Sequence, residues 1–262
     1  MEIIKSILLG IVQGLTEFLP ISSSGHLEIF KVVLGFETGL NNNILFTLIL
    51  HLATSFSVIV VYWDDIKKIF KSVLSIKKDE NTYFFSLILI SIFPAGTVGF
   101  FFEEKISNLF VGNLILVGSM LLFTSIILFM SDFKMKTTNK LDYVKSFFVG
   151  VSQALAIIPG ISRSGLTICS SILMGVNREL AAKLSFLMVL PIIFGSFLKI
   201  LIFDEIIFNQ EIISLYVFGF LSAFISGIFA CKWMIVLVKK SKMKYFSFYC
   251  LTLGLICIFF NL

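Results

Sequence analysis

One carboxylate, one histidine, one arginine and a set of serines stand apart in a chain whose 262 residues are 58% apolar and only 14% charged. Gln13 and Glu17 are four residues apart, hence on one face of a helix. After Pro20 come Ser22, Ser23, Ser24, Gly25 and His26. Much later Ser162, Arg163, Ser164, Gly165 and Thr167 form a second polar turn in equally apolar surroundings. Serines and glycines at a helix start offer hydroxyls and backbone N–H groups to an oxyanion. A guanidinium fork matches phosphate geometry as an ammonium does not, and arginine is otherwise used only at Arg178. A carboxylate at membrane depth is a functional group by default. Two helix N-termini, one arginine, several hydroxyls, one carboxylate and one histidine suit a phosphate or diphosphate attached to a lipid. Ser23 activated by Glu17 or His26, His26 itself, or an activated water could each serve as nucleophile. Ser24 is equally readable as a plain N-cap. His51 lies mid-span without polar company and reads as a core histidine bonded to a backbone carbonyl.

The elements that must position these groups are duplicated. Gly10–His26 reads GIVQGLTEFLPISSSGH and Gly150–Leu166 reads GVSQALAIIPGISRSGL. Without gaps they share Gly10/Gly150, Gln13/Gln153, Leu15/Leu155, Ile21/Ile161, Ser22/Ser162, Ser24/Ser164 and Gly25/Gly165. Each copy predicts two short helices around a proline break: Ile3–Leu19 with Gly25–Leu34, and Tyr143–Ile158 with Gly165–Met174. The second arms are too short to cross a bilayer, so residues 2–36 and 144–177 read as re-entrant hairpins, buried in protein or lining a wet cavity. Six windows are apolar enough to span: Ile44–Trp63, Tyr83–Phe102, Leu109–Met130, Leu184–Phe203, Ile212–Val238 and Tyr245–Phe260. Lysine-rich loops (Lys67, Lys68, Lys71, Lys77 and Lys78; Lys134, Lys136 and Lys140; Arg178 and Lys183; Lys239, Lys240, Lys242 and Lys244) alternate with acidic ones (Glu103 and Glu104; Asp204, Glu205 and Glu211). The positive-inside rule puts the former in the cytoplasm. The hairpins then enter from opposite faces. The expected fold is an all-α integral membrane protein, six transmembrane helices plus two re-entrant helical hairpins arranged as two inverted-topology repeats. It is a single membrane domain over 1–262, with repeats of about 1–130 and 131–262. Inverted repeats bring broken helices together near the midplane.

The net charge of +5 sits in loops flanking spans and is no signal for nucleic acid. Cys169, Cys231, Cys250 and Cys257 show no paired spacing and read as buried thiols. The apolar run Ser6–Val12 stops at Gln13 without a cleavage signal, so it is not read as a signal peptide. Lys199 and Lys232, near span ends, are expected to snorkel.

With these residues in view, the chain resembles the undecaprenyl-diphosphate phosphatase family, the bacitracin-resistance type. The resemblance rests on the (E/Q)xxxE motif at Gln13–Glu17, running into FLPISSSGH at Phe18–His26. It rests also on PGxSRSxxT at Pro159–Thr167, and it extends over the whole chain, including LSFLMVLP at Leu184–Pro191. It implies hydrolysis of undecaprenyl diphosphate to the monophosphate, a prenyl diphosphate lipid as substrate, and a divalent cation, Mg²⁺ or Ca²⁺. It also implies a bacterial inner membrane and a site open to the outer, periplasmic face. On this reading Glu17, Ser23, His26 and Arg163 are catalytic, and Glu17 with Gln13 holds the metal. Ser22, Ser24, Gly25, Ser162, Arg163, Ser164, Gly165 and Thr167 then bind the diphosphate. Glutamine at the first motif position removes one charge from that metal site, so weaker ion affinity is expected. The rival reading is a lipid-phosphate flippase using the same midplane site, and the sequence is compatible with a homodimer.

Overall fold

A computed structural model describes residues 1–36, 40–102, 106, 109, 113–133, 140–203, 210–240 and 243–259. The acidic loop residues Glu103, Glu104, Asp204 and Glu205, with Lys134, Lys136 and Lys242, lie outside the described residues. Among those described, the extended regular elements are all helices: α1 Glu2–Phe18, α2 Ser23–Leu34, α3 Leu40–Val61, α4 Trp63–Leu74, α5 Glu80–Phe101 and α6 Leu114–Met130 in the first half. The second half has α7 Tyr143–Leu155, α8 Arg163–Leu173, α9 Arg178–Leu187, α10 Val189–Phe203, α11 Gln210–Lys240 and α12 Lys244–Phe259.

The proline breaks fall where the sequence places them. Leu19 is extended (φ −70°, ψ 143°) and ends α1, because a residue before proline is pushed out of the α region. The second arms α2 and α8 have 12 and 11 residues, at about 1.5 Å per residue roughly half the ~30 Å hydrocarbon thickness. Four helical stretches are long and apolar enough to cross a membrane: Asn43–Val61, Glu80–Phe101, Arg178–Phe203 and Ile212–Lys239. Pro94 sits inside α5 without interrupting it. The two other expected spans are shorter apolar helices, Leu114–Met130 and Lys244–Phe259. Within the expected Leu109–Met130 window the helix α6 starts at Leu114, after the N-cap Asn113, whose side chain accepts from the Leu116 amide. Phe100, Phe101, Phe203, Phe229 and Phe259 are each at least 69% exposed. Apolar exposure on this scale marks contact with lipid, and the chain is a multi-pass all-helical membrane protein.

Packing between the halves is reciprocal. The hairpin helix α1 lies against α11, its counterpart α7 lies against α5, and α6 pairs with α12. Small residues permit each approach, as expected where apolar tails replace water and helices associate by close contact. A Cβ on Gly10 would stand 2.4 Å from the Gly219 carbonyl, and one on Gly150, its counterpart, 2.3 Å from the Ser91 carbonyl. Gly14 is tighter still, with Ser226 Oγ at 1.9 Å and the Ala223 carbonyl at 2.6 Å from such a carbon. Gly14→Ala is therefore expected to cost about 1–3 kcal/mol of stability by overpacking, read as a lower melting temperature in detergent. Gly96→Ala in α5, where an added carbon meets nothing within 4 Å, serves as the neutral control.

Charged residues from several of the lysine-rich segments converge. Asp132 accepts from Arg178 Nη2 at 2.8 Å and from the Lys244 amide at 2.9 Å. Lys183 pairs with Asp65 at 2.5 Å and Lys239 with Glu179 at 2.9 Å. The ends of α4, α6, α9, α11 and α12 are thereby tied together. All four cysteines are buried and free, as the sequence suggests.

Candidate active site

The two proline-serine turns meet. A Cβ on Gly25 would stand 3.2 Å from Gly160 Cα, and one on Gly165 3.2 Å from Pro20 Cβ, reciprocal contacts between residues 140 apart in the repeat. Gly160 has φ +95° and lies so near the Val117 carbonyl that a Cβ would come within 2.5 Å; both facts require glycine. Ser22 and Ser162 are the N-caps of α2 and α8, each side chain accepting from the amide three residues on, Gly25 and Gly165. Those two amides, expected to bind phosphate, are thus satisfied within the caps, because the N-cap bond reaches the third helical position. The helix geometry leaves the amides of the first two positions, Ser23 and Ser24, Arg163 and Ser164, without intrahelical partners. Ser24 Oγ lies 3.3 Å from Ser22 Oγ. Ser164 Oγ donates to the Leu19 carbonyl at 3.1 Å, and Ser22 Oγ lies 3.4 Å from the Ile161 carbonyl, so hydroxyls of each turn hold the backbone of the other.

Glu17, 8% exposed, is the hub. Its Oε1 accepts from Arg163 Nη2, and its Oε2 accepts from Ser23 Oγ at 2.7 Å and from Gln13 Nε2 at 2.8 Å. The second arm of the Arg163 fork, Nη1, donates to the Ser185 carbonyl at 2.9 Å. The charge of the arginine is therefore met by a carboxylate and a carbonyl, which is what lets it persist in a largely buried position. Thr167 is fully buried, its hydroxyl bonded to the Arg163 carbonyl and 2.7 Å from Ser185 Oγ; it backs the residue that holds Arg163.

His51 corrects the sequence reading. Its Nδ1 stands 2.9 Å from Gln13 Nε2 and 3.2 Å from Glu17 Oε2, so it faces the site and not a backbone carbonyl. Gln13 must turn its nitrogen toward the carboxylate, which can only accept, and the same nitrogen then serves His51. This leaves Gln13 Oε1 buried without a partner. His26 stands off from this group: Nδ1 donates to the Ser22 carbonyl at 2.7 Å and Nε2 lies 2.7 Å from Tyr249 Oη. Glu28 is a second buried carboxylate of the first hairpin, 5% exposed and paired with Lys31 at 3.0 Å, where the sequence reading counted Glu17 alone. The duplicate turn has no acidic counterpart: Ile157 stands where the repeat has Glu17. Gln153, matching Gln13, is buried with neither amide atom partnered. His51 was misread, and Ser185 and Tyr249 were missed, because each comes from a distant helix that the local sequence of the two turns does not reveal.

Among the described residues no group of three or more His, Cys, Asp or Glu could hold a metal ready-made. The orphaned Gln13 oxygen beside Glu17 nonetheless fits a hard cation whose remaining ligands come from phosphate, the usual Mg²⁺ arrangement of one or two carboxylates plus substrate.

Comparison with known proteins gives a consistent picture. The family model described as bacitracin resistance protein BacA matches residues 6–256. The chain is 48% identical to an undecaprenyl-diphosphatase of Christiangramia forsetii, over 99% of this chain and 98% of that protein. It is 41% identical to an undecaprenyl-diphosphatase of Bacteroides fragilis over 98% of each. Identity to one of Methanococcus vannielii is 39%, over 98% of this chain and 99% of the relative.

Proposed function

The chain belongs to the bacitracin resistance protein BacA family, and from that premise we propose that it hydrolyses undecaprenyl diphosphate to undecaprenyl phosphate and inorganic phosphate. The observation that carries this reading is the Ser23 hydroxyl donating to Glu17 Oε2 at 2.7 Å while Glu17 Oε1 holds Arg163. A nucleophile, its base and a phosphate clamp thus share one carboxylate. A flippase needs the clamp but no nucleophile and base, and the relatives are phosphatases by name.

In this mechanism Arg163 grips the diphosphate together with the free amides at the starts of α2 and α8, since positioning and electrostatics carry most of phosphoryl transfer. The substrate competes with Glu17 for the guanidinium, which keeps that charge compensated beforehand. Glu17 Oε2 takes the Ser23 proton as Oγ attacks the terminal phosphorus, and the lipid monophosphate leaves. Water then releases phosphate from Ser23. Gln13 and Glu17 would hold a divalent cation, Mg²⁺ or Ca²⁺, which when bound neutralises charge on the phosphate oxygens. The reading includes the membrane arrangement expected from sequence: six spans, with inverted hairpins, in the bacterial inner membrane and a site open to the periplasmic face.

Phosphate release from a prenyl diphosphate in detergent, with and without EDTA, is the direct test; a preparation that binds the lipid without releasing phosphate refutes hydrolysis. Gln13→Glu is expected to tighten Mg²⁺ or Ca²⁺ binding at least about ten-fold by adding a carboxylate ligand, read by calorimetric titration of the ion alone. Unchanged affinity removes Gln13 from the ion's shell.

A further inference from the structure

Ser22 occupies an expensive conformation. Its φ is +70° with ψ 93°, a region that residues with a side chain rarely adopt and that persists only where the surroundings over-determine it. The duplicate cap, Ser162, has an ordinary extended backbone (φ −76°, ψ 111°), so the distortion belongs to the copy that carries Ser23. Beside the local bonds of the cap, in which the Ser22 carbonyl accepts from the His26 amide at 3.1 Å and its hydroxyl from the Gly25 amide at 3.1 Å, a chain of hydrogen bonds reaches it from across the fold. The Ser22 carbonyl can only accept, so His26 Nδ1 carries the ring proton and donates at 2.7 Å. In the neutral ring His26 Nε2 is then the lone-pair nitrogen, and Tyr249 Oη, at 2.7 Å, donates to it. The two rings are parallel, 5.6 Å between centroids and 6° between planes. Tyr249 belongs to α12, 223 residues from His26.

We propose that Tyr249 is a positioning residue of the reaction: through the proton-fixed ring of His26 it pins the Ser22 turn and so aims Ser23 Oγ at Glu17. Removing the tyrosine hydroxyl frees the imidazole to change tautomer or rotate, and the Ser22 carbonyl, still bonded to the His26 amide at 3.1 Å, loses its side-chain partner. The inference rests on the phosphatase reading for its kinetic consequence, whereas the hydrogen-bond chain stands independently of it.

The test is Tyr249→Phe in the full-length protein, with two readouts. The chain has two histidines, so ¹⁵N-histidine labelling with a His51→Gln variant for assignment isolates the His26 signals in detergent. Expected are a protonated Nδ1 in the wild type, an Nε2 resonance that moves in Tyr249→Phe, and kcat lowered about ten-fold with KM within about two-fold. Unmoved Nε2 resonance, kcat within two-fold of wild type, or kcat, KM and melting temperature falling together each overturn the proposal. Should the wild type show the Nε2 bond but release no phosphate from prenyl diphosphate, the phosphatase reading fails and takes the kinetic role of Tyr249 with it.

Discussion

Arg163→Ala is expected to lower kcat/KM for the prenyl diphosphate by at least about 10³-fold, the scale on which an arginine stabilises transferring phosphoryl charge. The geometry adds a complication. Glu17 Oε1 rests on Arg163 Nη2, so truncation leaves a buried carboxylate without its counter-charge. Breaking a buried pair in this way costs about 3–5 kcal/mol. Lost activity in the single variant therefore mixes catalysis with folding, and a double variant separates them. Glu17→Gln with Arg163→Gln removes both charges, and replacing a buried pair by neutral groups is far less costly than removing one partner. Its melting temperature in detergent is expected to recover toward wild type while phosphate release stays at background. Arg163→Lys keeps the charge but cannot reach Glu17 and the Ser185 carbonyl with two arms, and is expected to remain below one-hundredth of wild type, roughly. A fully active, folded Arg163→Ala protein would take the clamp out of the mechanism.

Ser23→Ala is expected to reduce turnover at least about 10³-fold, the combined loss of the nucleophile and of its general-base activation. Because Ser23 Oγ is only partly buried and makes its bond to Glu17 alone in this site, the variant should fold normally, and its melting temperature provides the check. Loss of rate by itself does not name the nucleophile, since His26→Ala would also free the Ser22 turn and slow the reaction. The chemistry of a trapped intermediate does. Acid-quenched enzyme given terminally labelled substrate is expected to carry an acid-stable, base-labile phosphoserine, absent from Ser23→Ala. A base-stable adduct seen only when a parallel sample is quenched in alkaline detergent would assign attack to His26. No adduct under rapid quench, with Ser23→Ala still active, would leave attack to water.

Much of this site is legible in the sequence. The gapless duplication marked both turns, and Pro20 and Pro159 gave their breaks, because a proline fixes its own φ and restricts the residue before it wherever it occurs. The observed hairpin helices α1, α2, α7 and α8 begin and end within three residues of the expected ones. Glu17 and Arg163 stood out singly because a lone charge in an apolar medium is costly; that they pair with each other is read from the structure. His51 was misread for an equally physical reason. A helix pattern gives the face on which a residue lies but not which helix will cover that face. Gln13 reaches His51 only because Gly10 and Gly14 let α1 settle against α11, beside α3.

Sequence alone thus determined the class of protein, the broken helices and the kinds of group at the site, since composition, proline and repeat spacing act locally and survive any packing. Tertiary structure decided the rest: which serine meets the carboxylate, that the Gly25 and Gly165 amides are spent on caps, and that His26 answers to Tyr249. Those outcomes depend on distances across helix contacts, set by where small side chains let backbones approach. No one-dimensional pattern encodes them.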